Sequence, residues 1–521
     1  MRSRGRLTWW AAFAVFGVIG TTWALSIAPM GAPDEIAHSR RAVAVARGQF
    51  TTEVRWLETP ALRAPQTRVE IPFGYAQGFA IGNELTNCWV NDLSTPVSCA
   101  PRPASTPGPP KENVTYVGSY QPLYYLVAGL PSRWLPPSTG WYAMRIVSAL
   151  IAAALLASAA VSVGELARGP WSIVGAAAAL TPSVLFLSGA INPNGVEIAA
   201  SLAVWTTLLA ILAGRGAPPG RGLLRLGVAA VVLASTRPTS PLLLVIIVAV
   251  VLASSATRER GAELWASPGF RALVAVVGVA LVANLAFVVA NESLGNVIHT
   301  NVAERPTSEL VRLGFELTPG WLDEALGSLS WIGYGAVQLP VWARWLWWSV
   351  VGAVVLLGLV RGSNRQRAVV ALLAAACVAG PVAATVLEPE VQWQGRYALP
   401  LLVGVPLLAG LGADRREPGW RWAGRERLVA SGLLVVVAGC QVVAHQQLMV
   451  RNLLGLPNRL LRGILHAPWH GPLPLLALLA MAAVGSAGFL ALALAGIWRP
   501  APSPGHEPVG VTDRADSSGR T

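Results

Sequence analysis

The sequence predicts a polytopic, all-α integral membrane protein, and three observations carry that prediction. Only 12% of its 521 residues are charged, against about 25% in an ordinary soluble domain. Stretches that are almost wholly Ala, Val, Leu and Ile, such as 149–161 and 242–253, recur along the whole chain. The bases, all arginine except Lys111, gather in short clusters between those stretches.

About 20 apolar residues suffice for a helix to cross a hydrocarbon core of roughly 30 Å. Spans are expected near 7–28, 141–165, 171–190, 195–213, 222–236, 238–254, 270–290, 342–360, 368–387, 398–412, 428–449 and 472–497. The stretch 222–236 is short for this, and 398–412 is the other marginal one. Residues 122–135 are apolar but short and broken by Pro131, which fits a re-entrant or interfacial element. Leu7 to Ala28 is longer than the 7–15-residue core of a secretory signal, so a retained first helix is expected. Placing Arg2/Arg4/Arg6, Arg215/Arg221/Arg225, Arg258/Arg260/Arg271, Arg361/Arg365/Arg367 and Arg415/Arg416/Arg421/Arg425/Arg427 on the cytoplasmic side puts both termini there. The net charge of +13 therefore reads as topology. No basic stripe interleaved with aromatics suits a nucleic acid.

The organisation follows in order. A first helix (1–28) leads to a long outer loop (29–140), then spans 2–7 (141–290), a second long outer loop (291–341), spans 8–12 (342–498) and a tail (499–521). The two long loops and the 388–397 turn hold 16 of the 26 acids, so any chemistry is expected on the outer face. The tail is rich in Pro, Gly and Ser and is expected to be disordered. No internal repeat is apparent, and the asymmetric first loop speaks against an inverted-repeat architecture.

Cys377 and Cys440 fall inside spans and read as small core residues. Cys88 and Cys99 share the first outer loop, where a disulfide is expected and two free thiols are the alternative. The Pro-rich 101–110 stretch reads as an extended linker. Asn113-Val114-Thr115 and Asn291-Glu292-Ser293 match a glycosylation sequon too short to carry weight.

The densest chemistry lies just after the first span, in Pro33-Asp34-Glu35-Ile36-Ala37-His38-Ser39-Arg40-Arg41-Ala42. If Pro33 opens a helix, Asp34, His38 and Arg41 share one face, and Glu35 points about 100° away. The functional reading is a carboxylate base beside a phosphate-binding cation. The bland one is an interfacial helix with Asp34 at its positive end and Arg40/Arg41 against lipid phosphate. His38 is a base, a ligand or a structural partner of Asp34.

The pattern P-D-E-x-x-H-x-x-R-A resembles the bacterial membrane family catalogued as domain of unknown function 2142. Gln121-Pro122-Leu123-Tyr124-Tyr125, Asn192-Pro193-Asn194, Arg237-Pro238 and Gln394-Gly395-Arg396-Tyr397 match it further, in order, over about residues 1–450. That family is similar in layout to the GT-C glycosyltransferases, which use polyprenyl-phosphate sugars and carry one or two acids shortly after the first span. The resemblance implies that Asp34, with Glu35 as a second acid, occupies that position in an inverting enzyme of the bacterial cytoplasmic membrane with its active site facing outward. It implies a polyprenyl-phosphate-linked sugar as donor and a glycan, lipid or protein acceptor, with membrane lipids around it. The downstream loops share no long similarity, and no large C-terminal outer domain is apparent.

The reaction needs a carboxylate to take the acceptor's proton and cations on the departing phosphate, for which the planar guanidinium is suited. The candidates are Arg41, Arg145, Arg237 and Arg396; each reads alternatively as an interfacial arginine snorkelling to headgroups. Gln394 shares the polar turn of Arg396. Tyr397 and Trp393 stack on a sugar or belong to an interfacial aromatic belt. Asn192 and Asn194, with Glu197 one turn on, bind sugar hydroxyls or cap a helix. A divalent cation on Asp34 and Glu35 is the one cofactor the motif admits, although neighbouring helical residues face apart. Segment 450–466 reads as an interfacial helix, and 331–342 as an acceptor-side lining or an aromatic anchor. A transporter or flippase for a lipid-linked sugar is the rival function. It calls for ionisable groups near the midplane, whereas the spans here are nearly free of charge. A non-catalytic envelope assembly protein is third.

Overall fold

The computed structural model describes residues 2–76, 87–90, 92–214, 219–300, 305–328, 337–391, 393–414, 423–456 and 471–498. Helix α1 (Arg2–Ser26) opens the chain, and α2 (Glu35–Ala46) follows a tight turn. Strands β1 (Arg55–Glu58), β2 (Leu62–Pro72) and β3 (Pro110–Thr115) come next, with one-turn helices α3 (Phe73–Ala76) and α4 (Asn87–Val90) between the last two. Helix α5 (Pro122–Gly129) and a 3-10 turn (Leu130–Arg133) lead to α6 (Pro137–Leu166), α7 (Trp171–Ala179), α8 (Pro182–Ser188), α9 (Pro193–Leu212), α10 (Pro219–Ala234) and α11 (Ser240–Ser255). Then come α12 (Arg258–Ala266), α13 (Pro268–Ala290), the short β4 (His299–Thr300), α14 (Thr307–Gly327), α15 (Val341–Arg361) and α16 (Asn364–Leu387). The described chain closes with α17 (Leu399–Leu402), α18 (Gly404–Ala413), α19 (Ala423–Leu454) and α20 (Leu475–Ile497).

Helix occupies each of the twelve stretches where a span is expected. Among the described residues, eight helices are long and apolar enough to cross a membrane, or nine if α7 and α8 count as one. Helix α11 and the α17–α18 stretch are shorter apolar helices, and α10 has 16 residues. The fold is that of an all-α polytopic membrane protein.

The 171–190 stretch is not a straight helix: α7 and α8 meet at 55°. Pro182 lacks an N–H and crowds the preceding turn, so the helix restarts there with Thr181 as its N-cap, accepting from the Val184 N–H at 3.3 Å. The carbonyl freed at Leu180 accepts from the Gln441 side-chain amide of α19 at 2.6 Å. The Thr181 hydroxyl donates to the Ala325 carbonyl of α14 at 2.9 Å. A break inside an apolar bundle persists only when its backbone groups find such partners.

The long first loop is built rather than extended, and its sheet departs from a purely helical expectation. β2 pairs antiparallel with β1, β3 and β4. Helix α2 packs against α5, where the Gly129 position leaves no room for a side chain, since a Cβ would lie 2.0 Å from the Ala42 carbonyl oxygen. Arginines of α2 and of its C-terminal end hold the rest of the first loop through backbone carbonyls: Arg40 donates to Val114 at 2.5 Å, and Arg47 to Ser132 at 2.6 Å. Cys88 and Cys99 are joined in a disulfide, with Cα atoms 6.1 Å apart. The segment it closes clasps the end of α19, where Arg451 donates to the carbonyls of Trp89 at 2.6 Å and Thr95 at 2.8 Å. Cys377 and Cys440 are buried thiols.

The second loop, expected to be without a helix, contains the 21-residue α14, with Pro319 inside it. The tail 499–521, residues 331–336 of the aromatic approach and 457–466 of the segment expected at the interface lie outside the described residues; 450–454 of the latter continue α19.

Candidate functional site

Pro33 does not open α2. Helical bonding begins at Glu35, and Asp34 sits before it in the left-handed region at φ 54° and ψ 9°, which Asp tolerates better than most residues. The Asp34 side chain makes no capping bond to the helix and is aimed away from it. Tyr116 donates its hydroxyl to Asp34 Oδ1 at 2.7 Å, and Arg396 donates Nη2 to Oδ2. Burial alone would raise the Asp34 carboxyl, but the Arg396 guanidinium and the Tyr116 hydroxyl hold it below its ordinary value. The same contact outweighs burial at Arg396 and raises its pKa.

Arg396 owes its position to the Gln394-Gly395-Arg396-Tyr397 turn. The Gly395 N–H donates to Glu324 Oε2 of α14 at 2.8 Å, and a Cβ on Gly395 would lie 2.0 Å from the Trp321 carbonyl oxygen. Gln394 accepts from the Tyr397 N–H through its backbone carbonyl at 3.0 Å. The Tyr397 ring then lies between two guanidiniums, 5.3 Å from Arg396 and 5.0 Å from Arg237. The Nε–H of Arg396 and the Nε1–H of Trp393 on the same turn are buried without an acceptor among the described residues.

Arg237 is held from the other side. Its Nη1 donates to Glu197 Oε2 at 3.0 Å, Ser240 donates to Glu197 Oε1 at 2.6 Å, and Gln121 donates to the Arg237 carbonyl at 3.0 Å. Glu197 outweighs the burial that would lower the Arg237 pKa, and the net direction is upward. Asn194 donates to Glu197 Oε2 at 3.3 Å. Asn192 caps α9, accepting from the Asn194 N–H at 2.9 Å, and donates to the Pro33 carbonyl at 2.7 Å. The Asn192-Pro193-Asn194 turn thus supports both the Asp34 turn and the Arg237 pair.

Glu35 and Arg145 form a separate pair. Arg145 donates Nε to Glu35 Oε1 at 2.7 Å and Nη2 to Oε2 at 2.6 Å. Its remaining donors reach the carbonyls of Ile27 and Ala28, both at 2.7 Å. Glu35 also accepts from the Ile191 N–H at 3.1 Å. Both side chains are about 2% exposed or less. A guanidinium so occupied is a staple between α6, the end of α1 and the α8–α9 turn.

Arg41 is also occupied away from Asp34. It is fully buried and donates to the carbonyls of Thr51 at 2.7 Å and Tyr120 at 3.4 Å. Neither Arg40 nor Arg41 is at the surface where lipid phosphate would reach it. His38 shares a hydrogen bond with Tyr125 at 2.8 Å, and burial pushes its pKa down to about 3, leaving it neutral at pH 7. Asp34 and Glu35 diverge, and the described residues contain no group of three His, Cys, Asp or Glu that could hold a metal ion.

The structure therefore joins Asp34, Arg396, Tyr397 and Arg237, keeps Asn192, Asn194 and Gln394 as supports, and sets Glu35, Arg145 and Arg41 apart. Sequence reasoning missed Tyr116, Tyr120 and Glu324. Tyr116 follows the end of β3 with no motif around it, and Glu324 belongs to an unexpected helix.

Many apolar helices with a polar cluster where their loops converge define a polytopic membrane protein. The chain belongs to the family described as "Predicted membrane protein (DUF2142)", whose profile matches residues 16–405. No curated protein and no solved structure matches the chain.

Proposed function

We propose that the protein is a membrane glycosyltransferase that moves a sugar from a polyprenyl-phosphate donor to a cell-envelope glycan, lipid or protein on the outer side of the bacterial cytoplasmic membrane. The observation that supports this best is the Asp34–Arg396 contact, with Arg237 across the shared Tyr397 ring. It sets a carboxylate against one guanidinium, with a second guanidinium on the adjoining tyrosine ring and two N–H groups that have no acceptor among the described residues. A phosphate brings several acceptor oxygens, and arginine forks match them.

In this reading the donor phosphate takes Arg396 from Asp34, and the freed carboxylate accepts the proton of the acceptor hydroxyl. The acceptor oxygen bonds to the anomeric carbon as the bond from that carbon to the phosphate oxygen breaks. The electron pair leaves with polyprenyl phosphate, which Arg396 and Arg237 hold. Charge stabilisation of this kind is worth about 10²–10³ in rate per donor. Tyr116 donates to the carboxylate and the Tyr120 hydroxyl lies against Arg237, and both are suited to the acceptor sugar.

The rival reading, transport of a lipid-linked sugar, draws support from His445, an ionisable side chain inside α19. Purified protein in proteoliposomes, given radiolabelled polyprenyl-phosphate sugars and envelope acceptors, separates the two. Transfer is expected to yield a new glycosidic product. Counterflow of intact donor with no such product would support the transporter and count against the enzyme.

A further inference from the structure

Helix α14 crosses the fold at the level where α15 begins and α16 ends, two helices long and apolar enough to span. Its Gly314 rests on α16, where an added Cβ would lie 3.0 Å from the Val382 Cα. The end of α16, Leu387, is only about 7.5 Å further along that helix at 1.5 Å per residue. Asp323, toward the other end of α14, contacts Arg344 and accepts from the Trp348 Nε1–H at 3.4 Å, both in the first turns of α15. Trp342 and Trp345 on those turns are exposed, as in the aromatic belts at the rim of a bilayer. The helix therefore lies across two spans at the depth where headgroups give way to acyl chains.

Its residues form three stripes. Leu310, Gly314, Thr318, Trp321 and Ala325 are buried against the bundle. Arg305 pairs with Glu309 and Arg312 with Glu316, each one turn apart. Between these stripes lie Val311, Phe315 and Leu322, within about 40° of one another at 100° per residue. Val311 and Phe315 are exposed, the latter by 57%, and Leu322 is half-buried. A helix lying in a bilayer interface carries this pattern, with its apolar face among acyl chains and its charges toward water.

The C-terminal end of α14 is tied to the polar cluster. Thr181 and Ser183, at the break between α7 and α8, donate to the carbonyls of Ala325 and Glu324, both at 2.9 Å. Glu324 and Trp321 are in turn the residues that hold the Gly395 backbone. Tilt or lift of α14 is thus transmitted to the turn that carries Arg396.

We propose that α14 is an interfacial helix, its Val311, Phe315 and Leu322 face embedded among the acyl chains of the leaflet on the Asp34–Arg396 side, and that this embedding keeps the Gly395 turn in place. The partner is the hydrocarbon of the surrounding lipids as a surface. The proposal stands apart from the glycosyl-transfer reading, and its test reads depth and backbone exchange.

The full chain in lipid nanodiscs, carrying Val311→Cys, Phe315→Cys, Glu309→Cys or Glu316→Cys, would be labelled with bimane; the native free thiols Cys377 and Cys440 are buried. Lipids brominated on their acyl chains are expected to quench the label at 311 and 315 several-fold more than at 309 and 316, and aqueous iodide to do the reverse. Hydrogen exchange of the peptide 393–398 is then followed in Phe315→Asp and Phe315→Leu. The aspartate is expected to speed that exchange at least tenfold, and the leucine to leave it as in wild type. Phe315→Ser, a milder polar change, replaces the aspartate variant if the latter does not fold. Equal quenching by brominated chains at all four positions, as for a face covered by a second protein, or iodide quenching strongest at 311 and 315, would overturn the embedding. Unchanged exchange in the folded polar variant would overturn the link to the Gly395 turn.

Discussion

Arg396 and Asp34 share a hydrogen-bonded ion pair across 362 residues of sequence. The pair closes the polar cluster by tying the turn before α2 to the turn before α17, and Tyr116 completes the carboxylate's shell. Its coupling is measurable. In a double-mutant cycle of Asp34→Asn and Arg396→Gln, followed by thermal unfolding in detergent, the two changes are expected to be non-additive by about 1–3 kcal/mol. Additivity would mean the contact contributes nothing to the folded state.

The Glu35–Arg145 pair is expected to behave as a structural staple. Removing one partner of a buried pair costs about 3–5 kcal/mol, so Glu35→Gln should lower the unfolding temperature by many degrees. Arg145→Lys, with Glu35 intact, should also melt lower than wild type, because a single ammonium cannot span both carboxylate oxygens and the carbonyls of Ile27 and Ala28. Thermal melts of the three proteins check this. A fully stable Arg145→Lys would show that the fork geometry is dispensable.

Gly395→Ala tests how Arg396 is aimed. The added methyl group would meet the Trp321 carbonyl oxygen at 2.0 Å, so the turn must move and carry Arg396 with it. Loss of function is expected to exceed the loss of stability, with affinity for a polyprenyl phosphate falling at least tenfold in protein that still elutes as a single species. Unchanged affinity would show that the turn does not aim the guanidinium.

His38 sets a pH dependence. Its pKa is depressed to about 3 in the folded protein, against about 6.5 in an unfolded chain. Above pH 6.5 both states are neutral and nothing is gained or lost. As the pH falls from 6.5 toward 3, the unfolded chain binds a proton that the folded one does not, and stability drops. Thermal unfolding between pH 7 and 4 is expected to show a steeper decline in wild type than in His38→Gln. Parallel declines would mean His38 titrates normally.

The helices were legible because lipid enforces a simple rule: long apolar runs must satisfy their own backbone, and arginine clusters mark their ends. The P-D-E-x-x-H-x-x-R stretch pointed to Asp34, and Q-G-R-Y to Arg396. Which acid meets which arginine was not legible. A helical wheel paired Asp34 with His38 and Arg41, whereas one left-handed residue takes Asp34 off the wheel. Arg41 then turns to backbone carbonyls. Glu197 lies one turn beyond a cap motif, yet its partner Arg237 is 40 residues away. The sheet and α14 stayed hidden because polar loop segments carry no lipid-imposed pattern. Tyr116, alone at a strand end, carries no local signal of its role.

The most direct measurement is sugar transfer by the Asp34→Asn protein, with its folded state established by a thermal melt. The substitution keeps the shape of the side chain and its contact with Tyr116 but removes the proton acceptor. Transfer from a radiolabelled polyprenyl-phosphate sugar is expected to fall at least a hundredfold, while binding of the donor changes little. Transfer at the wild-type rate would contradict the assignment of Asp34 as the base.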